Sequence, residues 1–295
     1  MTEFLETVVR GLGNGSVYAL LALGFVIIFK STRIISFAQP ALMLTGAVLV
    51  SHLHESLGFY LAVVAAALGV AAIGVAIERT ALRPMIGKPA FVVAIITLGI
   101  DIAVRVVANG FIGLNVRQVG DPWGLDRTTL LGLDVQQRHL AMILTALLVM
   151  AALFVFFNYS RHGLAMRATS FDQETAMAQG ISVGTVFALS WALAGGLAAI
   201  AGTFLATGTG FEQSLWIIAL KALPAVILGG LDSLGGAVVG GLVIGVVEAL
   251  SGAYQSDLAP WLGANFAVVT PYVVMMLVLL VRPYGLWGTR EVIRV

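Results

Sequence analysis

Long apolar stretches without charged side chains alternate with short polar connections along nearly the whole chain. Most approach the roughly 20 residues that an α-helix needs to cross a bilayer. They occupy 11–29, 34–51, 56–77, 89–100 (continuing past Asp101 and Arg105), 139–160, 175–211, 233–247 and 258–281. A Gly-rich stretch at 213–231 is interrupted by Lys221 and Pro224, so it is either a ninth span or a short re-entrant helix. The pattern predicts an all-α polytopic membrane protein with eight to nine transmembrane helices.

Composition agrees with this pattern. Of the 295 residues, 59% are hydrophobic and 11% are charged, whereas an average globular domain has roughly 25% charged residues. Mean hydropathy is +1.00. The N-terminus is acidic where a secretory signal needs basic residues, so the first apolar run is expected to be a retained span. No hydrophilic domain interrupts the chain, which predicts a single transmembrane domain over 1–295.

Arginine and lysine distribution predicts the orientation, because positive residues in short loops stay cytoplasmic. Such residues occur in alternate connections, at 30–35, 78–90 and 158–183. They recur in the tail as Arg282, Arg290 and Arg294. We therefore expect an N-terminus outside, a C-terminus inside and an odd number of crossings, which favours nine. The long loop at 109–138 carries as many Asp as Arg and is placed outside by alternation.

A proline follows a run of small and polar residues after the first span. The run is Ser36, Phe37, Ala38 and Gln39, and the proline is Pro40. An interrupted helix at membrane depth is tolerated where it lines a cavity. Proline is equally well suited to begin an ordinary helix, because its missing N–H is not needed there. Both interpretations remain open; in the first, the four residues surround the inner end of a substrate route.

Glycine is abundant, with 34 residues, and several are spaced one helical turn apart. Small residues at that spacing let helix backbones approach closely in lipid. The predicted packing positions are Gly195, Gly202, Gly236, Gly240, Gly241 and Gly245. This pattern predicts tight helix packing and is not specific for any function.

The loop that begins at Arg161 contains a second helical signal. Ser170 followed three residues later by Gln173 resembles a capping box, Glu174 suits the positive end of a helix dipole, and Gly180 can end the helix. The sequence therefore predicts a cytoplasmic helix of about two turns at 170–180. It is either an ordinary interfacial helix or one that docks into a cytoplasmic partner.

Catalytic and metal-binding signatures are absent from the sequence. There is no phosphate-binding loop, no zinc-protease or nucleophile-elbow motif and no cysteine. A pair formed by Asp101 and Arg105, four residues apart on one helix, is expected to neutralise itself near the outer end of its span. Lys221 and Glu248 pair with each other, snorkel or meet another subunit; the sequence does not choose. We expect no catalytic residue and no metal site.

Several blocks resemble those of the branched-chain amino acid permeases of ABC importers. They are G-S-V-Y-A-L at 15–20, I-S-F-A-Q at 35–39, E-R with L-R-P at 78–84, and K-A with three glycine pairs between 221 and 241. The segment E-T-A-M-A-Q-G at 174–180 is similar to the E-A-A-x-x-x-G loop that couples such permeases to their ATPases. The resemblance implies a type II importer permease fold. It also implies an ATPase-coupling role for Ser170, Phe171, Glu174, Ala176 and Gly180.

The same resemblance implies the partners. They are a paralogous permease, two ATP-binding subunits and a periplasmic or lipid-anchored solute-binding protein, all at the cytoplasmic (inner) membrane of a bacterium or archaeon. ATP and magnesium would bind to the ATPase subunits and no cofactor to this chain, which agrees with its missing nucleotide motif. The chain departs from the usual I-N-F-A-H-G block at Ser36, Gln39 and Pro40, which bears on substrate preference if that block lines the inner gate.

We therefore expect a permease subunit that moves branched-chain or other apolar, neutral amino acids by alternating access driven by ATP hydrolysis on separate subunits. The alternative is a secondary transporter or channel for small neutral solutes such as amides or urea. Few fixed charges occur within the predicted spans, so neutral or zwitterionic solutes suit either interpretation. A membrane-embedded transferase would need a polar catalytic constellation, and the sequence has none.

Overall fold

Twelve α-helices and one short hairpin make up the described part of the computed structural model, which comprises residues 2–130, 132–258, 261 and 266–288. The helices are α1 (Thr2–Thr32), α2 (Gln39–Leu57), α3 (Phe59–Ile77), α4 (Ala90–Ile112), α5 (Gln137–Tyr159), α6 (Arg161–Phe171), α7 (Gln173–Ala178), α8 (Val183–Leu205), α9 (Trp216–Ala219), α10 (Ala222–Gly229), α11 (Leu234–Leu258) and α12 (Phe266–Val281). A π-helical turn at Glu78–Leu82 and 3₁₀ turns at Arg83–Met85 and Gln213–Leu215 complete the helical segments.

Six helical segments are long and apolar enough to cross a membrane: Thr2–Thr32, Phe59–Met85, Ala90–Ile112, Gln137–Tyr159, Val183–Leu205 and Leu234–Asp257. Two shorter apolar segments, Gln213–Gly229 and Phe266–Val281, accompany them. Helix α2 has 19 residues, but its C-terminal half carries two histidines and a glutamate, so it is less apolar than the others. The expected polytopic helical fold is confirmed, and the nine segments match the nine apolar stretches of the sequence.

Helix α1 forms the centre of the bundle. It packs against α11, α8, α5 and α10, and 83% of its most apolar stretch is buried, against 11% for α5. Helices α3, α4 and α5 turn apolar side chains outward, as expected for helices whose solvent is lipid rather than water. The core therefore lies around α1, α2, α8 and α11.

The connections between helices lie in two groups, one at each end of the bundle. Hydrogen bonds and backbone bridges show which segments lie at the same end. At the first end, the amide N–H of Asp134 donates to Glu6 (3.0 Å) and Arg117 forms a bridge with Phe211. At the second end, Arg33 donates to the carbonyl of Ser170 (2.8 Å). The connections at 30–35 and 158–183 therefore lie at one end and the 109–138 loop at the other, which is the grouping that the charge pattern predicts. Of the tail arginines, Arg290 and Arg294 lie outside the described residues.

The stretch from 213 to 231 is discontinuous and joins the two ends. Helix α9 stops at Ala219 and α10 starts at Ala222, so the interruption falls at Lys221 as the sequence indicates. Pro224 does not break the chain; it lies in the first turn of α10, where a missing N–H costs no helical hydrogen bond. The stretch begins beside Gly113, to which Gln213 donates (2.7 Å), and ends against Trp287, whose N–H donates to Gly229 (3.1 Å).

The 109–138 connection contains a two-stranded antiparallel hairpin, which departs from the all-helical expectation. Strands β1 (Arg127–Leu130) and β2 (Leu133–Gln136) pair with Arg127 opposite Gln136. Earlier in this connection, the ring of Trp123 stacks on Phe204 of α8, with 5.8 Å between centroids. The long loop is therefore an ordered cap over one end of the bundle.

Candidate functional site

The segment between α1 and α2 lies inside the bundle. Helix α2 begins at Gln39 with Pro40 in its first turn. Ser36, Ala38 and Gln39 are buried and Phe37 is half-buried. The Oγ of Ser36 accepts the N–H of Ala38 (3.3 Å). Pro40 therefore does start a helix, as one interpretation held, but it starts it in the packed interior, as the other required.

Helix α4 holds the start of α2 in place through two hydrogen bonds that span 60 residues of sequence each. The backbone N–H of Phe37 donates to the Thr97 hydroxyl (3.0 Å), and that of Ala41 donates to the Asp101 carboxylate (3.0 Å). A carboxylate at the N-terminus of a helix satisfies an orphan N–H and faces the positive end of the dipole. Thr97 and Asp101, four residues apart on one face of α4, thus position residues 36–41, called the gate segment below after the prediction made for Ser36, Phe37, Ala38 and Gln39.

The pair of Asp101 and Arg105 forms as expected, with Nε–Oδ2 and Nη2–Oδ2 distances of 2.7 Å. Its expected location is wrong: Asp101 lies at the middle of α4, not near an end, because α4 continues to Ile112. The guanidinium of Arg105 lies 3.9 Å above the ring of Trp216 on α9. Asp101 therefore joins the start of α2 to the discontinuous α9–α10 segment.

Gln39 places an unpartnered carboxamide in the core. Its side chain is fully buried, and neither Oε1 nor Nε2 has a hydrogen-bond partner among the residues that the structure describes. The amide packs onto Gly24 of α1, where a Cβ would overlap with Nε2. A buried polar group without a partner costs about 1–3 kcal/mol. A buried polar side chain without a protein partner is typical of a site where that side chain contacts a bound solute.

Below the gate segment, a cavity of about 560 Å³ opens towards the end of the bundle that carries α7. Among the predicted site residues it is lined by Ser36, Ser170, Phe171 and Glu174. The structure therefore brings Ser36 of the predicted gate block to one cavity with part of the predicted coupling segment, 170–180. The other predicted residues of the two groups, Phe37, Ala38, Gln39, Ala176 and Gly180, do not line it.

Two hydrogen bonds tie the coupling segment to the end of α1. Arg33 donates to Ser170 O (2.8 Å), and the amide of Gln173 donates to Ser31 O (2.9 Å). Arg33 adopts a left-handed backbone conformation, with φ 58°, which costs a non-glycine residue roughly 1–2 kcal/mol. A strained backbone conformation of this kind is maintained where the surrounding contacts hold the residue in place.

The helix at 170–180 is shorter than expected and has a different cap. Ser170 belongs to the last turn of α6, where its hydroxyl donates to Arg167 O (2.7 Å). The N-cap of α7 is Asp172, whose Oδ1 accepts the N–H groups of Glu174 (2.9 Å) and Thr175 (3.1 Å). The predicted Ser170 cap is therefore wrong, because Asp172 offers a competing acceptor two residues later. The signal was present in the sequence as Asp172 followed by Thr175.

The surface formed by α7 and the last residue of α6 is exposed and partly apolar. Phe171 is 89% and Met177 53% exposed, whereas Ala176 is buried. Gly180 follows the helix with φ 83°, a conformation that favours glycine, and so ends it where the sequence predicts. Hydrogen bonds from the Thr175 hydroxyl and backbone lower the pKa of the Asp172 carboxyl, so this cap stays ionised at neutral pH.

Known proteins resemble this chain over nearly its whole length. The profile of the family described as "Branched-chain amino acid transport system / permease component" matches residues 7–281. This chain belongs to that permease family. The high-affinity branched-chain amino acid transport system permease protein LivH of Salmonella typhimurium is 31% identical, covering 99% of this chain and 98% of its own. BraD of Pseudomonas aeruginosa, described in the same words, is 29% identical with the same coverage.

A solved structure supports the fold. PsaBC from Streptococcus pneumoniae, in complex with a Fab, superposes on the permease with a TM-score of 0.50 at 15% identity, covering 94% of this chain and 92% of that one. Identity this low shows a common fold and nothing about the solute. The permease is thus a multi-pass membrane protein.

Each glycine predicted to pack closely lies against the backbone of a neighbouring helix. A Cβ at Gly195 would meet Val70 O at 2.7 Å, and one at Gly202 would overlap with Met43 O. Gly236 and Gly240 abut α10, whereas Gly241 and Gly245 abut α1. These glycines bring α11 against α1 and α10, and α8 against α2 and α3.

The second intramembrane charge pair of the permease also forms. Lys221 pairs with Glu248, so of the three possibilities the structure shows a mutual ion pair. The Tyr18 hydroxyl donates to the other carboxylate oxygen (2.9 Å). The interruption between α9 and α10 is therefore held against α1 and α11. Within the described residues, no group of three or more His, Asp or Glu converges to hold a metal ion.

Proposed function

We propose that this permease is one subunit of an ATP-driven importer for branched-chain or other apolar, neutral amino acids in the cytoplasmic (inner) membrane. One observation supports this most directly: the gate segment and the coupling segment share a cavity and are joined through Arg33 and Gln173. The names of LivH and BraD, which cover the chain end to end, supply the solute class.

In this proposal, α7 docks into a groove of an ATP-binding subunit. Exposed Phe171 and Met177 offer apolar contact area there, while the Asp172 cap and Gly180 keep the helix short and rigid. Movement of α7 reaches the end of α1 through the two hydrogen bonds at Ser170 and Ser31. The gate residues Ser36, Phe37, Ala38 and Gln39 follow directly along the chain.

The gate opens or closes as the start of α2 shifts against α4. Its two contacts with α4, at Thr97 and Asp101, are made by backbone N–H groups rather than side chains, so the segment shifts as a unit. The Gln39 carboxamide is the polar group available for a passing solute's ammonium or carboxylate. Alternating access follows if ATP binding and hydrolysis move α7 between two positions.

ATP and magnesium act on the partner subunits in this proposal, and this chain binds no cofactor. A paralogous permease completes the pathway, two ATPases drive it, and a periplasmic or lipid-anchored binding protein delivers the solute. The permease itself is then not an enzyme.

Reconstitution tests the proposal. The permease is purified with its native partners, placed in proteoliposomes, and assayed for uptake and for ATP hydrolysis with a panel of leucine, isoleucine, valine, alanine, acetamide and urea. We expect leucine-type solutes to stimulate hydrolysis and accumulate only with ATP and binding protein. A matched preparation with a hydrolysis-deficient ATPase is the control. Uptake that proceeds equally without ATP would instead establish the secondary transporter or channel.

A further inference from the structure

A groove of about 280 Å³ opens on the flank of the bundle between α1, α5, α6 and α11, apart from the gate cavity. Its walls are mostly apolar and include Leu23, Ile27, Met150, Leu153, Phe157 and Val238. On α1 the lining runs from Lys30 back to Leu23, which is about 10 Å along a helix axis. The groove therefore extends from the end of the bundle that carries α7 towards membrane depth.

Cationic side chains occupy the polar end of this groove. Lys30 and Arg167 both line it. The Nε of Arg167 is buried and has no hydrogen-bond partner within the described part of the chain, and its Nη1 reaches Asn158 Oδ1 only at 3.5 Å. A buried guanidinium N–H that lacks an acceptor is costly. Arg167 therefore has unused donor capacity beside the groove.

Surrounding charges leave this end positive. Asp232 and Arg33 lie close enough to Lys30 to interact with it electrostatically. Two cations, Lys30 and Arg167, thus line this end of the groove against one nearby carboxylate, that of Asp232, whereas Arg33 lines the gate cavity together with Glu78, Asp172 and Glu174. The Arg33 guanidinium already donates to Ser170 O. The excess positive charge lies where the apolar walls end, which complements a ligand with an anionic head and an apolar tail.

We propose that the groove binds an anionic phospholipid of the leaflet on the α7 side, with its phosphate at Arg167 and Lys30 and an acyl chain along α1 and α5. Arginine matches phosphate geometry with paired donors, and basic pockets between transmembrane helices on the cytoplasmic side suit anionic head groups. A free anion would use the cations but not the apolar walls. The lipid satisfies both features at once.

This lipid would contact the helix that leads into the coupling segment. Arg167 precedes the Asp172 cap by five residues on α6, and Ser31, beside Lys30, accepts the hydrogen bond from Gln173. An effect of the lipid on ATP hydrolysis rests on the proposed function. Lipid binding itself does not, so the two can fail separately.

Native mass spectrometry of the purified full chain tests the head-group contact. The chain is titrated with phosphatidylglycerol and with phosphatidylcholine of identical acyl chains. We expect phosphatidylglycerol to bind more tightly, and Arg167→Gln to weaken it about fivefold, because one basic residue near an anionic surface contributes about 1 kcal/mol. Lys30→Gln serves as a second variant if the first is poorly expressed. Arg161→Gln, an exposed cation on the same helix that does not line the groove, should leave the preference unchanged.

A second pair of variants tests the apolar part. Gly235 lines the groove, and a Cβ there meets no atom within 4 Å, so Gly235→Leu fills the groove without disturbing the backbone packing. Gly99, on the outer face of α4, has equally open space and supplies the control Gly99→Leu. We expect phosphatidylglycerol binding to be lost only in Gly235→Leu, with unchanged thermal stability in both.

Three results would overturn the proposal. The first is equal affinity of the wild-type chain for the two lipids. The second is phosphatidylglycerol binding that survives Gly235→Leu, which would place the lipid outside the groove, or that inorganic phosphate displaces at equal concentration, which would show that the apolar walls do not hold an acyl chain. The third is loss of the lipid when the paralogous permease assembles with the chain, which would make that subunit the occupant of this face.

Discussion

The carboxylate of Asp101 accepts the backbone N–H of Ala41 across 60 residues of sequence, at 3.0 Å. A carboxylate at membrane depth is expensive unless it is paired, and Asp101 is compensated on two sides, by Arg105 and by the first turn of α2. The arrangement makes α4 a support for the start of α2. The role of this acidic residue within an apolar helix is to hold the first turn of α2.

Removal of the Asp101 carboxylate should leave two groups without their partner. Asp101→Ala leaves the Arg105 cation and the Ala41 N–H without their partner, and removing one member of a buried pair typically costs about 3–5 kcal/mol. We expect a large loss of thermal stability and of transport. The double variant Asp101→Asn with Arg105→Gln keeps an acceptor and removes the lone charge, so it should recover part of both. Wild-type behaviour of Asp101→Ala would show that the contact does not hold the gate.

Substitutions at the two ends of the coupling segment should separate the observed cap from the predicted one. Asp172→Ala removes the acceptor for Glu174 and Thr175 and should weaken ATPase association and substrate-stimulated hydrolysis severalfold. Ser170→Ala, whose hydroxyl bonds only within α6, should have little effect. Gly180→Val imposes a β-branched residue at φ 83° and should resemble Asp172→Ala. Pull-down of the ATPase measures all three; a stronger effect from Ser170→Ala would reverse the cap assignment.

Arg33 combines backbone strain with a contact, and the two can be separated. Arg33→Gly relieves the left-handed conformation and removes the bond to Ser170, whereas Arg33→Ala removes the bond alone. We expect Arg33→Gly to be more thermostable than Arg33→Ala by about 1 kcal/mol. Both should couple hydrolysis to uptake less tightly than wild type, measured as solutes moved per ATP. Equal coupling in all three proteins would remove Arg33 from the link between α7 and the gate.

The buried Gln39 carboxamide should lower the stability of the fold while being needed for transport. Replacement by an apolar residue of similar size, Gln39→Leu, removes a buried polar group without a partner, so stability should stay equal or rise by up to about 1–3 kcal/mol. Transport should fall, or its solute preference should shift, since the polar group at the gate is gone. Uptake of leucine and alanine by the two proteins, compared with thermal unfolding, provides the measurement. Unchanged uptake with raised stability would make Gln39 an unused core residue.

The orientation can be tested directly, because the chain has no cysteine to remove. Single cysteines at Thr2 and Arg161 should react with an impermeant thiol reagent from the outside and from the inside, respectively. A cysteine at Phe171, which is 89% exposed, should react from the inside and become protected when the ATPase binds. Reaction of the Thr2 position from the cytoplasmic side would invert the assigned orientation.

By itself the sequence determined the features that depend on composition and short-range spacing. Apolar length predicted the spans, glycine spacing predicted close helix approach, and the 174–180 motif located α7 and its end at Gly180. These signals are readable because each arises from neighbouring residues: burial in lipid selects apolar side chains along a continuous helix, and a left-handed helix end favours glycine.

Tertiary structure alone decided what the polar residues do. Nothing local distinguishes Asp101 bonded to its neighbour Arg105 from Asp101 that also holds Ala41, since the second partner arrives only when α2 packs on α4. Ser170 and Asp172 were both suitable caps, and the choice followed from where α6 ends. Lys221 had several possible partners until α10 and α11 brought Glu248 beside it. A hydrogen bond is directional and short, so its partner depends on the packing of distant segments rather than on sequence spacing.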